Sequence, residues 1–283
     1  MKVLVTGVNG QLGYDVIKCL NERNIACKGV DLLDFDITNK EQTSAYICDY
    51  HPSIVIHCAA YTAVDRAEEE KDLCYRVNAV GPANIAAVCK EIDAAMVYIS
   101  TDYVFPGTGE KFYEVDDPTG PLSEYGNTKL EGEKAVRNYL DKYFIVRISW
   151  VFGKNGNNFV KTMLRLGKEK DELNVVGDQI GSPTYTIDLA KLLCDMIVTE
   201  KYGTYHATNE GVCSWAEFAE EIVKLAGYPT KVQAITSEEY KTKAVRPQNS
   251  RMSKEKLLEN GFAKLPFWQD ALKRYLKELE ALE

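Results

Sequence analysis

Short runs of apolar and β-branched residues alternate with longer amphipathic stretches through the first half of the chain. The runs predict strands at 2–6, 26–31, 53–58, 95–100 and 143–149, and the stretches between them predict helices at 11–22, 39–49, 71–92 and 123–140. Each strand is thus followed by a crossover long enough to return parallel. That pattern predicts an α/β fold, a Rossmann-type doubly wound parallel sheet with helices on both faces. Beyond Trp150 the alternation loosens, with helices expected at 157–170, 186–198, 214–226 and 266–281 and short strands near 173–176 and 203–207. No repeat or Pro/Ser-rich linker separates the halves. The expected organisation is a Rossmann domain over residues 1–155, also receiving segments near 180–207, and a smaller interleaved α/β domain made mainly of 156–283 that walls one side of a cleft.

Composition narrows the class of function. Across 283 residues, 34 Lys+Arg stand against 42 Asp+Glu, a net charge of −8 with 45% hydrophobic residues. This excludes a disordered chain and argues against sequence-independent nucleic-acid binding, which needs a basic face. The eight cysteines show no C-x-x-C and no zinc spacing, so they read as reduced, mostly buried residues. No run approaches the ~18 apolar residues of a membrane span, and the N-terminus lacks a signal-peptide apolar region. A cytoplasmic protein with no membrane and no nucleic-acid partner is expected. The 17 tyrosines against 3 histidines make tyrosine a candidate proton carrier.

The first strand runs into Gly7, Gly10 and Gly13, a G-x-x-G-x-x-G spacing that opens a helix. Gly7 permits the tight turn, Gly10 lets a diphosphate approach the backbone, and Gly13 lets helix and strand pack closely, so an anion sits at the helix N-terminus. Asp31 ends the next predicted strand, 18 residues beyond Gly13. A carboxylate there accepts from ribose hydroxyls and repels a 2′-phosphate, which favours NADH over NADPH. Asp36 and Ile37 follow, placed to flank the adenine.

Tyr125 and Lys129 are four residues apart behind the candidate N-cap Ser123, which puts both on one helix face. Chance predicts about one or two such spacings here, and a second, Tyr14 to Lys18, reads as an exposed-face coincidence. Tyr125 is distinguished by the strand ending in Ser100-Thr101-Asp102, whose carboxyl edge is where ligands bind in this architecture. Hydride transfer to a ketone creates an alkoxide that needs a proton. A tyrosine whose pKa is lowered by a neighbouring Lys⁺ can supply it, with Thr101 hydrogen-bonding the same oxygen.

These residues, with His57-Cys58-Ala59-Ala60-Tyr61-Thr62, Val77-Asn78-Ala79 and Tyr125-Gly126-Asn127-Thr128-Lys129, resemble the extended short-chain dehydrogenase/reductase family. Within it, Ser149-Trp150-Val151, Asn157-Asn158-Phe159, Asp178-Gln179-Ile180-Gly181-Ser182-Pro183-Thr184 and Arg246-Pro247-Gln248-Asn249-Ser250-Arg251 make the chain similar to the dTDP-4-dehydrorhamnose reductases. The resemblance implies Thr101, Tyr125 and Lys129 as catalytic residues and a dTDP-sugar as substrate. It implies Gly10, Gln11, Leu12, Asp31, Asp36, Ile37, Ala60, Tyr61, Thr62 and Ile99 as cofactor-lining, and Thr101, Asp102 and Trp150 as sugar-contacting. Arg246 is a candidate diphosphate clamp, since a guanidinium forks onto phosphate oxygens. Some members are glutamate-bridged metal dimers. Here Asp15, not Glu, follows Tyr14, so no metal residue is assigned, and metal dependence and a homodimer both stay open. His57 reads as structural. The alternatives are a sugar-nucleotide 4-epimerase or 4,6-dehydratase that retains NAD⁺, the dehydratase disfavoured because Tyr103 rather than Glu follows Asp102, or a non-catalytic regulatory subunit.

Overall fold

The computed structural model describes residues 1–280. Six parallel strands form the central sheet: β1 (Lys2–Thr6), β2 (Ala26–Val30), β3 (Ile54–His57), β4 (Ala95–Thr101), β5 (Tyr143–Ile148) and, after β6 (Glu172–Val176), β7 (Gly203–His206). Their order is β7-β5-β4-β3-β1-β2. The chain leaves β1 towards β2 and then crosses back to β3, so the switch point, where loops part to leave a crevice, lies between β1 and β3.

Side-chain alternation assigns each strand's two faces. Val3, Val5, Ile54, Ile56, Val97, Phe144 and Val146 meet Leu12, Val16 and Leu20 of α1 (Gln11–Glu22). Leu4, Val55, Met96, Tyr98 and Ile145 point the other way, against residues of α2 (Lys40–Tyr50), α3 (Gly81–Glu91) and α4 (Glu124–Tyr139). After α5 (Phe159–Glu169), α6 (Thr186–Met196) returns to the first face through Leu189 and Leu193. A separate core of Phe152, Val160, Leu173, Phe218, Ile222 and Leu272 joins α5, α7 (Trp215–Leu225) and α8 (Trp268–Glu280) to a two-stranded parallel sheet of β6 and β8 (Lys231–Ile235).

The helix predicted over 71–92 is broken. Lys71–Tyr75 is α-helical, Arg76–Val80 is a π-helical turn, and α3 restarts at Gly81. Pro82 has no N–H to return to the Asn78 carbonyl, which frees that oxygen for the Tyr98 hydroxyl at 3.3 Å. The strand at Lys231–Ile235 was not expected from its short, half-exposed pattern. No helix among the described residues is long and apolar enough to cross a membrane.

Candidate active site

Two clefts' worth of predicted residues gather along the carboxyl edge of the sheet. On the nucleotide side, Gly7, Asp31, Asp36, Ile37 and Ala60 line one pocket with Thr6, Phe35 and Val77. Gly7 sits at φ +71°, and a Cβ there would lie 2.6 Å from the Ala59 nitrogen, so the turn is closed to every other residue. Gly13 is equally constrained, its Cβ position falling 2.3 Å from the Gly7 oxygen. Asp31 reaches back to the loop, accepting from Asn9 N at 3.0 Å and Leu32 N at 2.8 Å.

Gln11 points across to the second half, where its Oε1 accepts from Asn158 Nδ2 at 3.0 Å. Asn155 Nδ2 donates to the Asn9 carbonyl at 2.8 Å, so the 155–158 segment braces the glycine loop. Leu12 faces the core, and Thr62 is exposed. Tyr61 is clamped by Asn78, which accepts from its N–H at 2.8 Å and donates to its carbonyl at 3.0 Å. The π-helical turn is what presents Asn78 this way, with its side chain to one loop and its carbonyl to Tyr98.

The reacting group lies at the end of β4. The Thr101 hydroxyl donates to Asp102 Oδ1 at 2.9 Å and accepts from Tyr103 N at 3.2 Å. Asp102 is 2% exposed, and burial pushes its carboxyl up to about 6 against the opposing hydrogen bonds of Ser250 and Thr101. Ser123 caps α4 through Gly126 N at 3.2 Å and so fixes the turn that carries Tyr125. Tyr103 meets the Tyr125 ring edge-on at 5.4 Å. Lys129 is buried; its Nζ donates to the Ile99 carbonyl at 2.7 Å and sits 4.1 Å from the centre of the Tyr98 ring, whose hydroxyl donates to the Lys129 carbonyl at 3.1 Å. Burial brings the ammonium down to about 7, with Glu133 opposing it.

Two expectations change. Lys129 does not draw the Tyr125 phenol down: burial raises it, Thr101 opposes, and the lysine is turned to Ile99 and Tyr98. Arg246 is not a free clamp: it donates to Asp65 Oδ2 at 2.7 Å, while its buried Nε has no partner. Tyr14 of the second Tyr-x-x-x-Lys spacing is 42% exposed on the outer face of α1. Asp15 is buried and accepts from the Thr186 hydroxyl. Tyr98, Trp215 and Ser250 were missed as site-shaping residues because their partners are distant in sequence.

His57 is buried, its Nδ1 2.7 Å from Thr6 Oγ1, and burial with the Lys129 charge takes it from 6.5 to about 3; His206 is lowered to about 3 by burial and Arg147. Both are depressed, so the unfolded chain takes protons first and stability falls as pH drops below 6.5. The slope is about 1.4 kcal/mol per pH unit for each histidine. Asp102 offsets part of it below about pH 6. Urea midpoints at pH 7.5 and 5.5 are expected to differ less in His57→Gln than in the parent; equal differences would show that His57 is not responsible.

The family described as RmlD substrate binding domain matches residues 1–281. The chain belongs to that family. Among RmlD relatives, a dTDP-4-dehydrorhamnose reductase of Escherichia coli K12 is 39% identical over 293 residues, covering 99% of this chain and 98% of that one. The structure of a dTDP-4-dehydrorhamnose reductase from Clostridium acetobutylicum superposes with a TM-score of 0.97 at 45% identity, covering 99% of this chain and 100% of that one. The Bacillus anthracis dTDP-4-dehydrorhamnose reductase, solved in complex with NADP, gives a TM-score of 0.96 at 46% identity over 98% of this chain and 100% of that one. The Rossmann-like RmlD fold therefore extends over nearly the whole chain.

Proposed function

We propose that the protein is an oxidoreductase that reduces the C4 ketone of dTDP-4-dehydro-L-rhamnose to dTDP-L-rhamnose with NADH or NADPH. The observation that carries this reading is that Tyr125 meets Thr101 at the carboxyl end of β4, with Lys129 bonded to the Ile99 carbonyl of the same strand, in a chain of this family. The crevice fits a dinucleotide: Gly7, Asp31, Asp36 and Ala60 line it at the switch point, and Lys129 has used only one of its three N–H donors on protein oxygen. A bound reduced nicotinamide would supply the hydride.

Tyr125 gives its phenolic proton to the sugar O4 as that oxygen becomes an alkoxide, and Thr101 donates to the same oxygen by turning its hydroxyl from Asp102. The raised phenol keeps the proton in place until the alkoxide forms. Lys129, anchored on the Ile99 carbonyl, holds the nicotinamide ribose with its remaining N–H donors. Gly10, Gln11 and Leu12 offer backbone to the diphosphate at the start of α1. Arg246, steadied by Asp65, keeps its unpartnered Nε–H for the sugar nucleotide's diphosphate. Asp102 and Trp150 receive the sugar.

Asp31 supports NADH, since its carboxylate stands where a 2′-phosphate would be repelled; the NADP complex of the Bacillus anthracis relative supports the phosphorylated cofactor. Initial rates with dTDP-4-dehydro-L-rhamnose and each cofactor decide between them. Asp31→Ala is expected to raise the NADPH-to-NADH ratio of kcat/KM by about tenfold, by losing charge-assisted ribose contacts and the repulsion together. A parent enzyme that prefers NADPH, or a ratio unmoved by the substitution, would overturn the role given to Asp31. Failure to oxidise either cofactor with this substrate would overturn the reductase reading.

A further inference from the structure

Trp150 adopts φ +51°, a conformation that a bulky side chain rarely takes. Such strain persists only where the surroundings over-determine it, and it gathers at functional sites. The surroundings here do so from three directions. The 182–184 segment pins the backbone: Ser149 Oγ donates to the Ser182 carbonyl at 2.7 Å, Thr184 Oγ1 donates to the Ser149 carbonyl at 2.6 Å, and Thr184 N donates to the Trp150 carbonyl at 3.1 Å. Gly181 lies against the indole, where a Cβ would fall 2.9 Å from Cε2 and Cζ2. Trp215 stacks on the indole face, with ring centres 3.8 Å apart and planes at 16°.

Trp215 is itself held rigidly. It opens α7 directly behind a capping box, in which Glu217 N donates to Ser214 Oγ at 3.0 Å and Ser214 N donates to Glu217 Oε2 at 2.6 Å. Phe159 packs against it with ring centres 4.6 Å apart and planes at 55°. The stack also sits beside the reacting group. The missing Cβ of Gly181 would lie 3.0 Å from Ser250 Cβ, and Ser250 donates to Asp102, which holds Thr101. Neither tryptophan is fully buried.

We propose that Trp215 is a positioning and specificity-determining residue, fixing the Trp150 indole as a platform for the apolar, methyl-bearing face of a 6-deoxyhexose. This deepens the substrate reading above and rests on it. A single tryptophan on a strained backbone would swing among rotamers; a second indole across its face removes that freedom before the sugar arrives. A sugar that keeps its C6 hydroxyl would have to desolvate it against an aromatic surface, which discriminates in favour of the deoxy sugar.

The test is calorimetric titration of the parent, Trp215→Leu and Trp215→Phe with dTDP-L-rhamnose and, separately, with dTDP. Trp215→Leu is expected to weaken dTDP-L-rhamnose binding by about tenfold with dTDP affinity unchanged, and Trp215→Phe, which keeps a stacking ring, to lose no more than about threefold. In the parent, the exciton couplet of the stacked indoles in ultraviolet circular dichroism should change on adding dTDP-L-rhamnose and not on adding dTDP; this measurement stands even where a variant fails to fold. Equal loss of both ligands, no loss of either, or a couplet indifferent to the sugar would overturn the inference while leaving the reductase reading in place. A parent that binds dTDP-L-rhamnose no better than dTDP would overturn the substrate reading and this inference with it.

Discussion

Tyr125→Phe is expected to bind NADH or NADPH as the parent does and to lose kcat by about 10²–10⁴-fold, the range that a positioned acid supplies. The substitution removes one oxygen from a partly buried ring whose packing is otherwise set by Tyr103 at 5.4 Å and by the Ser123 cap below it. The ring therefore stays where it is, and the defect is confined to the proton. Cofactor titration by fluorescence together with steady-state rates on dTDP-4-dehydro-L-rhamnose separates the two effects. Turnover within tenfold of the parent would mean that another group protonates O4, and Tyr125 would lose its assignment.

The largest expected effect on stability is at Glu133, which is not part of the reaction. Its carboxylate is 0% exposed and accepts from Ser100 Oγ at 2.6 Å, from Arg147 Nε and Nη2 at 2.8 Å each, and from Arg137 Nη2 at 2.8 Å. Burial alone would raise its pKa, but the Arg147 hydrogen bonds and the charges of Arg147 and Arg137 prevail and hold it lowered. Glu133→Ala would leave the Arg147 guanidinium, itself 2% exposed, without its counter-charge. A cost of about 3–5 kcal/mol follows, against about 1 kcal/mol or less for exposed pairs such as Lys134–Glu131. Urea denaturation of Glu133→Ala and Glu131→Ala checks this directly; equal midpoints would refute it. Because the folded pKa is lowered, the Glu133 contribution is present above its ordinary value of 4.5 and is lost as pH falls through the folded one.

Much of the fold is legible in the chain because parallel strands buried on both faces read as continuous apolar runs, as Ser53–Cys58 and Ala95–Ser100 do. The glycine loop and the Tyr125/Lys129 spacing are legible for a related reason: each is a local pattern whose geometry is set within one turn or one loop. What escaped was decided by contacts between distant residues. Pro82 falls inside the stretch 71–92 expected as a single helix, and only the nearby Tyr98 hydroxyl makes the Asn78 carbonyl it frees useful. Arg246 carries the right chemistry for a phosphate, yet nothing local announces that Asp65 already holds one of its nitrogens. The lysine beside Tyr125 has the right spacing to lower the phenol, but the ring of Tyr98 and the Ile99 carbonyl take its ammonium elsewhere. Lys231–Ile235 is half exposed and therefore lacks the apolar run that marks the central strands.

The position of β7 in the sheet has a consequence for the order of synthesis. Its partner β5 is complete at Ile148, but the residues that cover that edge, Gly203–His206, follow only after β6, α5 and α6. While the ribosome adds that intervening stretch, β5 presents an unpaired, apolar edge, which is the kind of surface on which nascent chains adhere to one another. Arg147 waits for its neighbour His206 over the same interval. Truncation of the gene between the two strands would fix the chain in that sticky state, so the shortest polypeptide in which β5 is covered extends at least to His206.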